Sequence, residues 1–556
     1  MLVQLKGGTV YDPTHGVDGK RMDIYFRNGI IVAAPRRDAR IDRTLDIRGR
    51  IVMAGAIDIH THVGGGKVNI ARMLLPEDHQ PYAVQGSPVM RAGSGHAVPT
   101  TFITGYRYAE MGYTACFEPA MLPANARHAH AEMADIPIVD TGAYALLGND
   151  DFLLRLLARK ADQKLINDYV AWIMNATHAH GVKVVNPGGI SAFKFNQREL
   201  DLDDEHSHYG ISPRRILNAL AQAVYDLGVC HPLHVHGCNL GVPGNVETTL
   251  KTIAAVGGLP LHLTHVQFHS YGREGDRGFS SAAARIAEAV NSNPNISIDV
   301  GQVMFGQTVT ASGDTMLQYR SRRHAHPNKW VCMDIECDAG CGVVPFLYRD
   351  RNFVNALQWC VGLELFLQVR DPWRIFLTTD HPNGAPFTTY PHLIRLLMDR
   401  GFRQDMLARI HPEARKASIL DNLDREYSLA EIAIMTRAAP ARSLGLTTRG
   451  HLGRGAAADI TVYDPNRNTE RMFSKPALVF KDGEQVVRDG KVIKSTTGLV
   501  HATRPAFDRG IERALARYFD RYHTMSLGNF RIGSDELVGF GRTAVAVHPC
   551  MPRQAS

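Results

Sequence analysis

The chain has 556 residues, 44% of them hydrophobic and 21% charged, with a formal net charge of +7. That composition belongs to globular proteins long enough to bury a large core, and it excludes a fibrous or disordered chain. The basic residues are dispersed, which argues against nucleic acid as a partner and leaves an acidic ligand compatible. No apolar run reaches the roughly 18 residues of a membrane span, and Met1-Leu2-Val3-Gln4-Leu5-Lys6-Gly7 is no signal peptide, so a cytoplasmic protein without membrane attachment is expected. The eight cysteines lack paired secretory spacing; Cys332, Cys337 and Cys341 lie close together but contain no Cys-x-x-Cys pair, so no metal cluster is expected there.

Residues 1–50 read as short strands (3–5, 7–12, 23–29 and 30–33), with Asn28-Gly29 between alternating apolar runs as a hairpin signal. A matching set lies far downstream at 459–464, 477–483 and 486–493. Neither set can close a core alone, so one small β-sandwich is expected from both chain ends, 1–50 with 441–495. Residues 51–440 are then an inserted domain.

That domain alternates strand-like and helical patterns. Strands are expected at 51–59, 112–117, 137–144, 182–186, 230–236, 261–266, 296–300 and 375–379, with helical periodicity between most of them, as at 162–180 and 213–227. Eight βα units argue for an α/β fold, a closed (β/α)8 TIM-like barrel whose chemistry sits at the carboxyl ends of its strands. Two connections are long: 64–99 after the first strand, and roughly seventy residues before the eighth, enough to roof a site or bind a partner. Residues 496–556 read as a C-terminal extension, helical at 505–523, that packs on a neighbour.

The strand ends carry the chemistry. His60 and His62 lie two apart at the end of the first strand, so both side chains project from one face, a spacing suited to a metal ion. The fourth strand offers Lys183, the fifth His234 and His236, the sixth His265 and the eighth Asp380. A lone strand histidine is usually structural; five that converge with a lysine and an aspartate form a site. Two zinc ions about 3.5–4 Å apart need a bridging anion, which a lysine carboxylated by CO2 supplies. Lys183 suits that role better than Lys194, because it lies on the apolar strand and Lys194 falls beyond its break. The metals would bring the pKa of a shared water towards neutrality, and Asp380 would take its proton and later deliver it to a leaving nitrogen. His236 and His265 would bind the second metal, and His234, one step deeper, would orient a ligand.

This order of His-x-His, lysine, His, His and Asp resembles the amidohydrolase superfamily. Longer blocks, including Asn69-Ile70-Ala71-Arg72-Met73-Leu74-Leu75-Pro76-Glu77-Asp78, Arg91-Ala92-Gly93-Ser94-Gly95, residues 104–114 and 183–189, Thr264-His265-Val266-Gln267-Phe268-His269-Ser270-Tyr271-Gly272 and Gly342-Val343-Val344-Pro345-Phe346, are similar to the alpha subunit of formylmethanofuran dehydrogenase. The resemblance implies an amidohydrolase-type barrel with two Zn2+ bridged by N6-carboxylysine at Lys183. It also implies interconversion of N-formylmethanofuran with formate and the free amine. In archaea formate exchanges with a tungsten or molybdenum subunit; bacterial relatives from methylotrophs form a formyltransferase/hydrolase complex that releases formate from a methanofuran or methylofuran carrier. The extension past Ser495 and the run Ser191-Ala192-Phe193-Lys194-Phe195-Asn196 depart from the archaeal pattern, which favours the bacterial form with a formyltransferase and other subunits as partners. Asn69, Arg72, Arg107 and Asn186 are expected to face substrate or support the ligands. The alternatives are an archaeal-type dehydrogenase subunit, a hydantoinase-like cyclic amidohydrolase and a non-catalytic scaffold; six metal-binding side chains and an aspartate have no purpose in a scaffold.

Overall fold

The structure is a computed structural model that describes residues 1–311, 314–335 and 339–552. Of the three clustered cysteines, Cys337 and the side chains of Cys332 and Cys341 lie outside the described residues.

Eight parallel strands run through the centre: β1 Ala56–Asp58, β2 Tyr113–Met121, β3 Asp140–Leu146, β4 Gly181–Val185, β5 Leu233–His236, β6 Leu261–Leu263, β7 Ile296–Asp299 and β8 Ile375–Phe376. They pair in chain order. The two ends of the sheet meet just beyond β1 and β8, where Thr61 and His381 form a parallel bridge and the His62 amide donates to the His381 carbonyl at 2.7 Å. Apolar periodicity supplies the outer helices. In Gln163–Thr177 the residues Ile166, Tyr169, Val170, Ile173 and Thr177 repeat on one buried face, and the Asp162 carboxylate caps the start by accepting from the Leu165 amide at 2.8 Å.

The first expected strand divides at Gly55. Ile51–Ala54 pairs with Ile460–Tyr463 in a separate sheet, and only Ala56–Asp58 joins the barrel. A β-carbon on Gly55 would lie 2.2 Å from the Thr114 hydroxyl, so the crossing from one sheet to the other is possible only for glycine. The expected sandwich is a single sheet of nine strands drawn from both chain ends. It curls until Phe26 and Phe480, far apart along it, touch edge to face with ring centroids 5.5 Å apart.

Both long connections lie above the carboxyl ends of the strands. The first carries the helix Gly66–Leu74; the second carries Gly306–Thr310, Thr315–Ser321 and Ala339–Tyr348, and the two share an apolar cluster of Val68, Ile70, Ala71, Val309 and Val343. The extension beyond Ser495 packs on this chain's own barrel. Its strand Val500–Thr503 pairs in parallel with the start of β3 and with Val545–His548, and Phe530 stacks on Trp172 at 5.5 Å. Among the described residues no helix is long and apolar enough to cross a membrane.

One buried ionic cluster joins the three parts. Asp140 at the start of β3 accepts from Arg449 at 2.9 Å, from Lys481 of the small sheet at 3.1 Å and lies 3.3 Å from His501 of the extension. Lys481 also meets Asp459 at 3.2 Å. Burial raises the pKa of Asp140, but Arg449 and Lys481 outweigh it and hold the carboxyl well below its ordinary value. Removing one member of a buried pair strands the other charge. Asp140→Ala is therefore expected to cost about 3–5 kcal/mol in denaturant unfolding, well beyond the effect of removing an exposed pair such as Arg48–Asp46.

Candidate metal centre

His60 and His62 leave β1 on the same face, as their spacing demands. His60 Nε2 lies 2.8 Å from Asp380 Oδ1 and His62 Nε2 lies 3.4 Å from the same oxygen. These three residues form a buried group able to hold a metal ion. His60 Nε2 and Asp380 Oδ1 are close yet not aligned for hydrogen bonding, and neither has another partner. Buried lone-pair atoms turned towards a common point without bonding to one another are what a cation satisfies.

The other expected ligands surround this group. Lys183 on β4 is buried and donates to Thr264 Oγ1 at 3.2 Å. Burial lowers its pKa to about 7, against the opposing pull of Asp380 and Asp299. The competing Lys194 ends the short helix Gly189–Lys194, beyond the strand. His265 packs edge to face with His60 at 5.5 Å and with His236 at 4.7 Å, and its Nδ1 is buried without a hydrogen bond. His236 Nε2 meets Asp314 Oδ2 at 3.0 Å. Burial holds His234, His236 and His265 below the ordinary histidine value, in the neutral form that ligates metals. For Asp380 burial acts upward, and His265 and His60 outweigh it, so the carboxyl stays well below its ordinary value and ionised.

His265 and Asp380 both take left-handed backbone, φ 35° and 50°, an uncommon conformation away from glycine that concentrates at functional sites. Gly301, just past β7, lies beneath them. A β-carbon there would stand 2.3 Å from His265 Cβ and 3.4 Å from Asp380 Cβ.

Several partners carry no sequence periodicity that would announce them. Glu118 on β2 accepts at Oε1 from His62 Nδ1 at 2.9 Å and at Oε2 from the Val63 amide at 2.8 Å. Asp299, ending β7, faces His60 Nδ1 at 3.3 Å and His262 Nε2 at 3.1 Å. Asp314 comes from the long connection before β8, and His269 stacks near His265 at 5.6 Å. The only sequence signal for Glu118 and Asp299 is an acid on an otherwise apolar strand.

His234 lies behind His60, with its Nε2 2.8 Å from His60 Nδ1. Asn186 takes left-handed backbone, φ 41°, donates to Asp314 Oδ1 at 3.3 Å and leaves its own Oδ1 buried without a partner. Asn69 and Arg72 are engaged elsewhere. Arg72 donates to Asn69 at 2.8 Å, to the Val63 carbonyl at 3.0 Å and to the Pro99 carbonyl at 3.1 Å, and Asn69 donates to Glu132. These bonds brace the loop after His62. Arg107 sits on the helix Thr101–Ala109 in the field of Asp78 and Glu110. A cavity of about 570 Å³ opens on Asp380 and Asn383; Phe268, Tyr348 and Gln358 line it, with Arg323 and His324 where it meets solvent. That volume suits a substantial organic ligand.

The model of the amidohydrolase family matches residues 43–494. The FhcA subunit of the formyltransferase/hydrolase complex Fhc of Methylorubrum extorquens is 43% identical over 539 residues, covering 96% of each chain. Protein FwdA of Methanocaldococcus jannaschii is 40% identical over 557 residues, again 96% of each. An alignment of that length includes most of the segment beyond Ser495, so the extension does not separate bacterial from archaeal chains as expected. The crystal structure of the formyltransferase/hydrolase complex FhcABCD from Methylorubrum extorquens in complex with methylofuran superimposes with a TM-score of 0.93 at 42% identity, covering 99% of this chain and 100% of that one. With a family model that matches residues 43–494 and near-complete alignment to both relatives, the chain belongs to the amidohydrolase family, in the group of FhcA and FwdA.

Proposed function

We propose that this chain hydrolyses the formamide of an N-formylated methanofuran-type one-carbon carrier, releasing formate and the free amine. It does so as one component of a complex that includes a formyltransferase. The observation that carries the proposal is the meeting of His60 Nε2, His62 Nε2 and Asp380 Oδ1, with Asp380 also lining a cavity of about 570 Å³ that suits an organic ligand. The kinship with FhcA, whose complex has been crystallised with methylofuran, supports the choice of substrate and partners. The metal set is two zinc ions held by His60, His62, His236, His265, Asp380 and Lys183 as its carbamate.

The donor set of imidazoles and carboxylate suits zinc. An amine with its pKa lowered to about 7 is partly unprotonated in neutral solution and can add CO2; the resulting carboxylate would also remove an ammonium from a nearly dry site. When bound, the metals supply the positive charge that polarises a carbonyl and acidifies water. Asp380 supplies the proton traffic: ionised at neutral pH, it accepts the proton of the attacking water and returns it to the nitrogen as the C–N bond breaks. Formamide and water thus become formate and the amine with no electron acceptor. Glu118 and His234 support the ligands, holding His62 and His60 from behind.

Purified protein supplied with zinc and bicarbonate is expected to release formate from N-formylated furfurylamine carrier with no redox subunit present. Absence of formate from protein holding two metals would overturn the proposal. Asp380→Asn should lower kcat by about 10²–10⁴-fold while both metals stay bound, and near-normal turnover would remove Asp380 from this role. Lys183→Ala should lose metal and activity together, and a small carboxylic acid added to the assay should restore part of each; full metal content in the variant would exclude lysine as the bridge.

A further inference from the structure

Asp299, the last residue of β7, is fully buried and has no step in the hydrolysis described above. We propose that it is the positioning residue that presets the metal centre, a role that rests on the metal-centre assignment of the preceding section. Its Oδ2 lies 3.3 Å from His60 Nδ1, 3.1 Å from His262 Nε2 and 3.9 Å from His234 Nε2. Its Oδ1 accepts from the His265 amide at 2.8 Å and from the Thr378 hydroxyl at 2.7 Å. One carboxylate therefore grips His60 beyond β1, His265 beyond β6 and Thr378, two residues ahead of Asp380, beyond β8.

The protons can be placed from these contacts. An ionised carboxylate only accepts, so the nitrogens facing Oδ2, His60 Nδ1 and His262 Nε2, carry hydrogen. His262 Nδ1 is then free to accept from the Ser297 hydroxyl at 2.9 Å. His60 Nε2 is left with its lone pair, on the side of the ring that faces His62 and Asp380. The His60 Nδ1 proton also lies 2.8 Å from His234 Nε2, His234 Nδ1 lies 2.9 Å from His231 Nε2, and His231 Nδ1 lies 3.1 Å from the Ser443 oxygen. With these imidazoles neutral, each ring nitrogen in this string other than His60 Nε2 has a partner of the right kind. Fixing which nitrogen carries the proton is what the outer contacts of a metal-bound histidine do.

His60 Nδ1, His234 Nε2 and Asp299 Oδ2 also lie near enough to one another for an ion between them to be a rival. Two imidazole nitrogens on one tetrahedral zinc stand about 3.4 Å apart, given bonds of about 2.0–2.1 Å. The 2.8 Å pair is instead aligned as a hydrogen bond, unlike His60 Nε2 and Asp380 Oδ1, which lack one. The group behind His60 is thus support rather than a further metal site. Asp299 also holds a turn that the chain resists, since its bond to the His265 amide sits where the backbone takes φ 35°.

Asp299→Asn keeps the size but brings an N–H to nitrogens that must themselves donate, which favours the opposite His60 tautomer and removes the lone pair from Nε2. Zinc affinity, measured by competition with a chromogenic chelator, is expected to fall about 10–100-fold, and the visible spectrum of the cobalt(II)-loaded protein to change. A carboxylate that served only the fold would lower the melting temperature and leave both readouts of the folded protein as in wild type, which would overturn the proposal. Thr378→Val removes one donor to Oδ1 while leaving the charge, and should move both readouts the same way by less. If Asp299→Asn does not fold, unchanged affinity and spectrum in Thr378→Val overturn the proposal. A wild-type chain that binds no zinc or cobalt overturns this role and the metal-dependent hydrolysis together; wild-type loading with unaltered variants overturns the role of Asp299 alone.

Discussion

The carboxyl end of this barrel buries imidazoles, a lysine and several carboxylates out of reach of water, and that burial dictates the structure around it. Each such atom left unanswered costs roughly 1–3 kcal/mol, and more if charged. Nearly every one is answered: His62 by Glu118, His236 by Asp314, His262 by Ser297 and Asp299, His231 by Ser443. Three of the atoms left without a hydrogen bond belong to expected ligands, His60 Nε2, Asp380 Oδ1 and His265 Nδ1; His269 Nε2 and Asn186 Oδ1 are others nearby. Buried lone pairs left bare at His60, Asp380 and His265 are of the kind a cation satisfies. The left-handed turns at His265 and Asp380 are the backbone side of the same arrangement, held by Gly301 below and by the Asp299 contacts.

The small sheet and the extension contribute through rigidity. Gly55 joins a strand of the sheet to β1 with one residue between, so the sheet fixes the direction in which His60 and His62 leave the barrel. Arg437, buried on the segment that leads back into the sheet, donates to the Ala54 carbonyl at 3.0 Å and to the Tyr463 hydroxyl at 2.8 Å, pinning the crossover from the other side. Asp140 ties the base of β3 to the sheet and to the extension through charges that cannot separate without being stranded.

Much of the site is legible in the sequence because its signals obey strict periods. The two-residue spacing of His60 and His62, the lysine in the β-branched run of β4 and the polar residues ending β5, β6 and β8 stand out against apolar strands. Eight such strands at crossover-length intervals specify a barrel. What stays hidden depends on contacts without a period. The run 51–59 looks like one strand, and only the close approach of Thr114 to Gly55 divides it. Asp314 reaches His236 from a long connection, where spacing carries no information about distance. Asn69 and Arg72 carry no signal of their partners either: Arg72 donates to the Val63 and Pro99 carbonyls and Asn69 to Glu132, contacts between separate segments of the chain. Near-complete alignment with an archaeal chain likewise removes the extension as a mark of lineage.

The second long connection explains how a rigid barrel can serve one particular substrate. The barrel itself supplies only ligands and their supports, a constellation compatible with many amides. The cavity above Asp380 is walled largely by residues that β7 and β8 do not provide: Thr310, Leu317, Gln318, Phe346 and Tyr348 all lie in the segment between them. That segment packs on the helix after His62 through Val68, Ile70 and Val343, so the roof over the candidate metal centre and the helix that follows His62 form one apolar unit. Pocket shape can therefore change in the roof while the donor set stays fixed, which separates the chemistry, set by strand ends, from the choice of amide, set by the connection.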